Sequence, residues 1–391
     1  MNKNRPAHAM DIKVFSPYQL LKRIFSSLDQ PLLIITGLLV CVGLITLYSA
    51  TLDLPDKMYE QLRNIGFAFI LMWLIARIPP QILTRIAVPV YTIGLGLLIA
   101  VAMFGLIRKG ARRWLNIGIV VQPSEIMKIA MPLMLAWYFQ KKEGITKIRH
   151  YVFALLLLAL PVGLIARQPD LGTALLVFAA GIYVIFFAGL SWRIIVPILA
   201  VSVLGIILLL IFGGSICASQ GDWLFLHDYQ KHRICTLLDP TTDPLGKGFH
   251  TIQSVIAIGS GGLFGKGWLK GTQSHLEFIP EKHTDFIFTV YAEEFGLIGN
   301  AILLILFIAL IFRGLTIALQ AATLFDRLLA GAITLMFFTY GFVNMAMVSG
   351  LLPVVGVPLP LFSYGGTTIV TQGLGLGILF NVARNRRLVQ T

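Results

Sequence analysis

Apolar residues in this chain run together in long blocks that are separated by shorter polar segments. Each block is close to the roughly 20 residues that an α-helix needs to cross a bilayer. We therefore predict an all-α polytopic membrane protein with ten transmembrane helices. The predicted spans are residues 32–50, 62–79, 82–106, 124–140, 151–166, 171–189, 193–213, 285–312, 327–349 and 362–383.

The composition agrees with this pattern. Of the 391 residues, 57% are hydrophobic and 13% are charged, and the mean hydropathy is +0.83. A soluble domain averages about 45–50% apolar and about 25% charged residues. The net charge of +13 favours an anionic partner. We expect no nucleic acid partner, because the basic residues are scattered at the membrane edges and form no continuous basic face.

The distribution of Lys and Arg predicts how the chain is oriented. Cytoplasmic loops are richer in these residues, and the count is satisfied best when both termini are cytoplasmic. The predicted organisation is a cytoplasmic N-terminal segment over 1–31, a single membrane domain over 32–383 and a cytoplasmic tail over 384–391. One large outer loop, 214–284, joins spans seven and eight.

One short outer loop departs from the charge rule. It carries Arg108, Lys109, Arg112 and Arg113 within six positions, directly before Trp114. The cluster is either a headgroup anchor beside an interfacial tryptophan or a cradle for the phosphates of a lipid-linked substrate.

Other outer segments carry weaker signals. Cys217 and Cys235 lie in the large loop, and their spacing leaves open whether they pair or remain thiols. The glycine-rich run 259–267 does not match a nucleotide-binding loop, because no Ser or Thr follows its Gly-Lys pair. The charge-free segment 349–368 is rich in Pro and Gly, which predicts an irregular or re-entrant conformation against protein or water.

Asp285 is the main candidate for a catalytic residue. It lies where a polar segment gives way to an apolar run, so its carboxylate is expected near the outer membrane edge. The alternative is an acid that is favoured there by the helix dipole. Glu293 lies about 12 Å deeper and must face protein or a water-filled cavity. His283 is a cap or a loop contact next to Asp285.

Glu125 and Lys128 share one face at the start of the fourth span. They form a local ion pair, or Lys128 pairs with an acid from another helix, for which we choose Asp285. An ammonium group in that position would keep Asp285 ionised. Arg167 also has two alternatives: it forms an ion pair with Asp170, or it joins the basic loop in binding phosphate.

Taken together, the motifs resemble the SEDS family of bacteria, named for shape, elongation, division and sporulation. The resemblance extends from about residue 28 to 388. The matching motifs are residues 109–115, 122–125 with Lys128, 167–173, 227–230, 278–286, 292–294 and 362–366. Within the family, residues 167–170 and 354–361 are more similar to the rod-elongation branch than to the divisional branch.

This resemblance implies a peptidoglycan glycosyltransferase in the bacterial cytoplasmic membrane. Such an enzyme polymerises lipid II at the outer face and works with a class B penicillin-binding protein and other elongation-complex proteins among the membrane lipids. The resemblance also implies that Asp285 is the essential acid and that Lys128 and Glu125 match positions tied to activity. Candidate substrate contacts are Arg108, Lys109, Arg112, Arg113, Arg167, Lys266, Lys270, His283 and Glu293.

Three points stay open at this stage. A divalent cation, Mg²⁺ or Mn²⁺, is expected to share the diphosphate-binding role, although the sequence contains no evident ligand cluster for it. A lipid II flippase or transporter is the main alternative function, but it would need a polar path across both leaflets. A non-enzymatic scaffold for cell-wall enzymes is the other alternative.

Overall fold

The structure, a computed structural model, describes residues 28–108, 111–116, 118, 120–144, 147–218, 228–239, 247–275 and 281–385, and it is mostly helical. The helices are α1 Gln30–Ala50, α2 Pro55–Arg77, α3 Pro80–Phe104, α4 Pro123–Lys141, α5 Ile148–Arg167, α6 Leu171–Phe187, α7 Trp192–Ala218, α8 Asp228–Leu238, α9 Lys247–Ser260, α10 Thr272–His275, α11 Ile287–Leu319, α12 Leu324–Val348 and α13 Gly366–Arg384. The strands are β1 Leu106–Arg108, β2 Ala111–Asn116 and β3 Val120–Val121.

A helix lies at the position of every predicted span. Six of the described helices are long and apolar enough to cross a membrane by length and composition, namely α1, α3, α5, α11, α12 and α13. The helices α1 to α4 each have proline in the first turn, where its missing N–H removes no helical hydrogen bond. The fourth helix accordingly begins at Pro123, one residue before the predicted span.

The centre of the bundle is formed by α4, α12 and α13. Most residues of α4 and α12 are buried, and these two helices pack against each other and against α6. The helices α1, α3, α5 and α7 instead leave many large apolar side chains exposed, a surface that suits lipid tails rather than water.

The basic loop between α3 and α4 folds into a small antiparallel ribbon. Strand β1 pairs with β2, and β2 pairs with β3. This local β-structure departs from the all-α prediction. That prediction was based on long apolar blocks, which cannot reveal strands of two to six residues.

Much of the predicted outer loop is helical. Helix α7 continues to Ala218, beyond the predicted end at 213, and a disulfide between Cys217 and Cys235 joins it to α8. Helix α9 packs against α11 and α12, and its Ser254 hydroxyl donates to the carbonyl of Val348 at 2.7 Å. The loop therefore packs closely against the membrane domain.

The Pro- and Gly-rich segment before α13 is irregular, as predicted. Its residues Val357, Leu359 and Phe362 are buried, and it lies against the backbone of α1 at Gly43 and of α6 at Gly172. Non-helical backbone is therefore enclosed by protein, which is the condition for tolerating it at membrane depth.

Candidate active site

Asp285 lies in the turn directly before α11 and is half-buried. Its backbone carbonyl accepts a hydrogen bond of 2.8 Å from Nδ2 of Asn344 on α12, and the same Nδ2 donates to the carbonyl of Val357 at 2.7 Å. A Cβ placed on Gly356 would lie 3.4 Å from Oδ2 of Asp285. The carboxylate thus lies between the start of α11 and the irregular segment before α13, and Asn344 links those two pieces of backbone.

Glu125 and Lys128 form a buried ion pair on α4. Lys128 Nζ lies 2.6 Å from Glu125 Oε1, and the two residues are 2% and 7% exposed. The ammonium also lies 5.1 Å from the ring centroid of Tyr340 on α12. The local pair predicted from the i, i+3 spacing is confirmed.

Helix α12 connects this ion pair to Asp285. Tyr340 and Asn344 are four residues apart and therefore lie on the same face of α12, about 6 Å apart along its axis. Tyr340 borders Lys128 and Asn344 binds the Asp285 backbone. A direct contact between Lys128 and Asp285 stays a prediction.

Glu293 is fully buried and is bound by residues of the 214–284 loop. Lys266 Nζ lies 2.7 Å from its Oε1, which also accepts hydrogen bonds from the Thr272 hydroxyl at 3.2 Å and the Gln273 N–H at 3.0 Å. Glu293 therefore faces protein, as expected for a carboxylate at this depth. Lys266, predicted as a diphosphate contact, is an ion-pair partner here with a side chain that is one quarter exposed.

The neighbouring Glu294 faces a different set of groups. Its Oε1 accepts hydrogen bonds from the Ser49 hydroxyl of α1 and from the Leu269 N–H at 3.2 Å. Just beyond it, Gly296 has non-helical angles (φ 63°, ψ −159°) that interrupt α11. The regular helical geometry at the start of α11 therefore does not continue unbroken beyond Gly296.

His283 connects the Asp285 turn to α2. Its Nε2 lies 2.7 Å from Lys57 Nζ, and its backbone carbonyl accepts the N–H of Tyr364 at 2.9 Å. The Tyr364 hydroxyl donates to Glu60, also on α2. The predicted loop contact of His283 is confirmed, and it ties the segment before α11 to the one before α13.

The predicted phosphate-binding cations fall into three groups. Arg113 is engaged by the α5–α6 turn, since it donates to the carbonyls of Gln168 and Pro169 and lies 3.9 Å from Asp170. Lys109 and the side chain of Arg108 lie outside the described residues. Of the predicted cations, the structure describes three as exposed, namely Arg112, Arg167 and Lys270.

Asp170 does not pair with Arg167. Its carboxylate accepts hydrogen bonds from Gln122 at 3.1 Å and from the Thr173 N–H at 3.3 Å, and it lies near Arg113. The cap on α6 and the link to β2 satisfy Asp170, so the Arg167–Asp170 alternative is wrong and Arg167 stays exposed.

Sequence reasoning missed three residues that build this site. Asn344 lies in an apolar run, Gly356 in a Pro- and Gly-rich run, and Lys57 five residues before the predicted start of the second span at 62. Of these, Gly356 carried a signal, because such a run favours close backbone approach. Together the residues place a half-buried carboxylate beside an irregular segment, above a buried ion pair. This arrangement can accept a proton from a polar substrate held at one membrane face.

Comparisons with known proteins agree on the family. Residues 29–388 match the model of the FtsW, RodA and SpoVE family, described as cell cycle proteins. The chain is 48% identical to peptidoglycan glycosyltransferase MrdB of Escherichia coli K12 over 364 residues, which cover 93% of this chain and 95% of that protein.

Two solved structures resemble the whole fold. One is a chain from a peptidoglycan synthase complex described as coordinating polymerization and crosslinking, with a TM-score of 0.76, 34% identity, and coverage of 92% of this chain and 99% of that one. The other is the rod shape determining protein RodA of Thermus thermophilus, with a TM-score of 0.67, 29% identity, and coverage of 92% and 98%. This chain belongs to the SEDS family, the family of FtsW, RodA and SpoVE.

Proposed function

We propose that this protein is a peptidoglycan glycosyltransferase that polymerises lipid II into glycan strands at the outer face of the cytoplasmic membrane during cell elongation. The observation that carries the proposal is the half-buried Asp285 carboxylate, held beside Gly356 by the contacts of Asn344. The chain's similarity to the peptidoglycan glycosyltransferase MrdB of Escherichia coli supports it.

In the proposed reaction Asp285 acts as the general base. Its carboxylate takes the proton from the 4-hydroxyl of the acceptor GlcNAc, and that oxygen attacks C1 of the donor MurNAc. The new glycosidic bond forms as the bond from C1 to the diphosphate oxygen breaks. Undecaprenyl diphosphate leaves with the electron pair, and the configuration at C1 is inverted.

The leaving diphosphate requires positive charge nearby. Among the described residues, the cations best placed to contact the diphosphate are the exposed ones, Arg112, Arg167 and Lys270. Two others, Arg113 and Lys266, already contact protein oxygens. Arg108 and Lys109 belong to the same proposed cradle. The buried Lys128–Glu125 pair contributes a fixed dipole beneath the site, and Lys128 is proposed to hold Asp285 ionised.

A divalent cation needs a separate test. Among the residues that the structure describes, no three His, Cys, Asp or Glu side chains come together as a metal site. A site built from protein side chains alone is therefore absent from that part of the chain, and the cation stays a proposal in which the substrate diphosphate supplies most of its ligands. Chelation of divalent cations in the polymerisation assay tests the sequence-based expectation directly.

The proposal includes an orientation and a partner. In the proposed orientation the chain crosses the membrane ten times, both termini are cytoplasmic, and the 214–284 loop lies outside. Residues 32–383 form one membrane domain. The Cys217–Cys235 disulfide supports the outer location, because disulfides persist in oxidising compartments. The likeness to a chain of a synthase complex supports a class B penicillin-binding protein as partner.

One experiment separates this function from its alternatives. The purified protein and its penicillin-binding partner are given lipid II in detergent, and in parallel the protein alone is placed in vesicles that report lipid II translocation. We expect glycan strands from the wild type and none from Asp285→Ala. Translocation without polymer would support a flippase, and the absence of both would support a scaffold.

A further inference from the structure

A recess of about 370 Å³ opens at the face of the bundle where α4 ends and α5 begins, at the opposite end of α4 from Lys128. It is lined by Tyr138, Lys142, Arg149, His150 and Phe153. Ligand pockets span about 300–1,000 Å³, so the recess has room for a small polar group. In the proposed orientation this face is cytoplasmic.

The groups around the recess favour an anion. Lys142 and Arg149 are exposed cations at its rim. Helix α5 also begins here, its N-cap Lys147 makes no side-chain capping hydrogen bond, and its first turn contains no acid. Uncapped N–H groups and the helix dipole favour negative charge at such an end. Glu143 is exposed and does not line the recess.

His150 provides an independent sign of a ligand. The residue is only 6% exposed, and its buried Nδ1 has no hydrogen-bond partner among the described residues. Its ring packs edge-on against Tyr138, with the centroids 6.4 Å apart. A buried polar atom without a partner costs about 1–3 kcal/mol, and a protonated ring nitrogen can donate to an anionic oxygen.

The positive-inside tendency alone explains cations on this face, but it does not explain a buried histidine nitrogen without a hydrogen-bond partner on a residue that lines the same recess. The aromatic rings of Tyr138 and Phe153 line the recess together with these two cations. Aromatic and cationic groups in one recess suit an amphiphile that carries a phosphate headgroup and acyl chains. We infer that the recess binds the phosphodiester headgroup of an anionic phospholipid from the cytoplasmic leaflet, with His150, Arg149 and Lys142 as its contacts.

The test measures lipid retention on the full-length protein by native mass spectrometry. The probes are phosphatidylglycerol and phosphatidylcholine with identical acyl chains. The variants are His150→Phe, which keeps the ring against Tyr138, and the double variant Lys142→Gln/Arg149→Gln. Arg193→Gln is the matched control, because Arg193 is an exposed cation at the start of α7 and does not line the recess.

We expect the wild type and Arg193→Gln to prefer phosphatidylglycerol, and both recess variants to bind it about tenfold more weakly. Equal retention in wild type and both variants would overturn the inference, as would an absence of preference in the wild type. If His150→Phe does not fold, the double variant decides, because its two side chains are exposed.

A second arm identifies the source of the phosphate. Glycerol 3-phosphate offers the same phosphate chemistry without acyl chains, and we expect millimolar amounts of it to leave phosphatidylglycerol bound. If glycerol phosphate displaces the lipid and depends on the same residues, the recess takes a soluble phosphate and the lipid assignment is wrong. The inference does not depend on the proposed enzymatic function, so either can fail alone.

Discussion

Two buried asparagines make the same kind of contact at opposite ends of the bundle. Asn344 donates through Nδ2 to the carbonyls of Asp285 and Val357. Asn381 on α13 donates through Nδ2 to Ile75 at 2.9 Å and to Ile78 at the end of α2. Each amide donates to two backbone carbonyls near a helix end, but only Asn344 contacts the Asp285 backbone. Comparing substitutions at the two asparagines therefore separates an effect on the position of Asp285 from an effect on general stability.

We predict that Asn344→Leu and Asn381→Leu each lower the free energy of unfolding by about 1–3 kcal/mol, because each leaves buried carbonyls without a donor. Only Asn344→Leu is expected to slow polymerisation per folded molecule. Thermal unfolding in detergent and the initial polymerisation rate measure the two effects. A similar loss of rate in Asn381→Leu would show that Asn344 acts through stability alone.

The Lys266–Glu293 ion pair leads to a second prediction at this scale. Lys266→Met removes the ammonium group from a fully buried carboxylate and is expected to cost about 1–3 kcal/mol of stability. The cost should shrink in a Glu293→Gln background, where no buried charge remains. Lys270→Met is the control, because Lys270 is exposed on the same loop. Equal costs in both backgrounds, measured by thermal unfolding, would contradict the coupling.

At the scale of elements, α11 is joined to the 214–284 loop through backbone hydrogen bonds. Where Gly296 breaks the helix, the N–H groups of Leu297 and Ile298 donate to the carbonyls of Gly262 and Leu263, at 2.9 and 3.1 Å. In the other direction, the N–H groups of Lys266 and Gly267 donate to the backbone carbonyls of Glu293 and Glu294, both at 3.0 Å. The loop thus replaces the hydrogen bonds that the broken helix loses, as a membrane environment requires.

Gly296 is predicted to tolerate no side chain. Its φ is 63°, and a Cβ there would lie 2.3 Å from the Gly265 nitrogen and 2.8 Å from the Leu263 carbonyl oxygen. We expect Gly296→Ala to reduce the yield of folded protein sharply. Gly66→Ala on α2 is the control, because nothing lies within 4 Å of its Cβ position and alanine favours a helix interior by about 1 kcal/mol. Size-exclusion profiles after solubilisation compare the two, and a normal profile for Gly296→Ala would contradict the proposed strain.

The sequence predicted these elements unequally well. Long apolar blocks identified the helix positions because one physical quantity, hydropathy over about 20 residues, determines them. The break at Gly296 escaped notice because a single glycine is tolerated in an apolar run. The partner of Glu293 escaped notice as well, because Lys266 lies 27 residues away and only tertiary folding brings the two together. Local pairs such as Glu125–Lys128 were predictable, since helical spacing alone brings them together.

At the scale of the whole molecule, the proposed orientation puts the disulfide and Asp285 on the outer side and the basic recess on the inner side. A membrane-impermeant maleimide added to intact cells should label Cys217 and Cys235 only after reduction. Cys41→Ser should not change the result, because Cys41 lies within α1. Labelling that requires permeabilised cells would reverse the orientation.

The central claim is that the Asp285 carboxylate is the base for glycan polymerisation. The most direct measurement is the initial rate of polymer formation from lipid II by the purified complex carrying Asp285→Asn, which keeps the shape of the side chain and removes its charge. Asp56→Asn is the control, because Asp56 is an exposed acid in the first turn of α2. We predict that Asp285→Asn slows the reaction by about 100- to 10,000-fold and that Asp56→Asn leaves it unchanged. A near wild-type rate for Asp285→Asn would contradict the account.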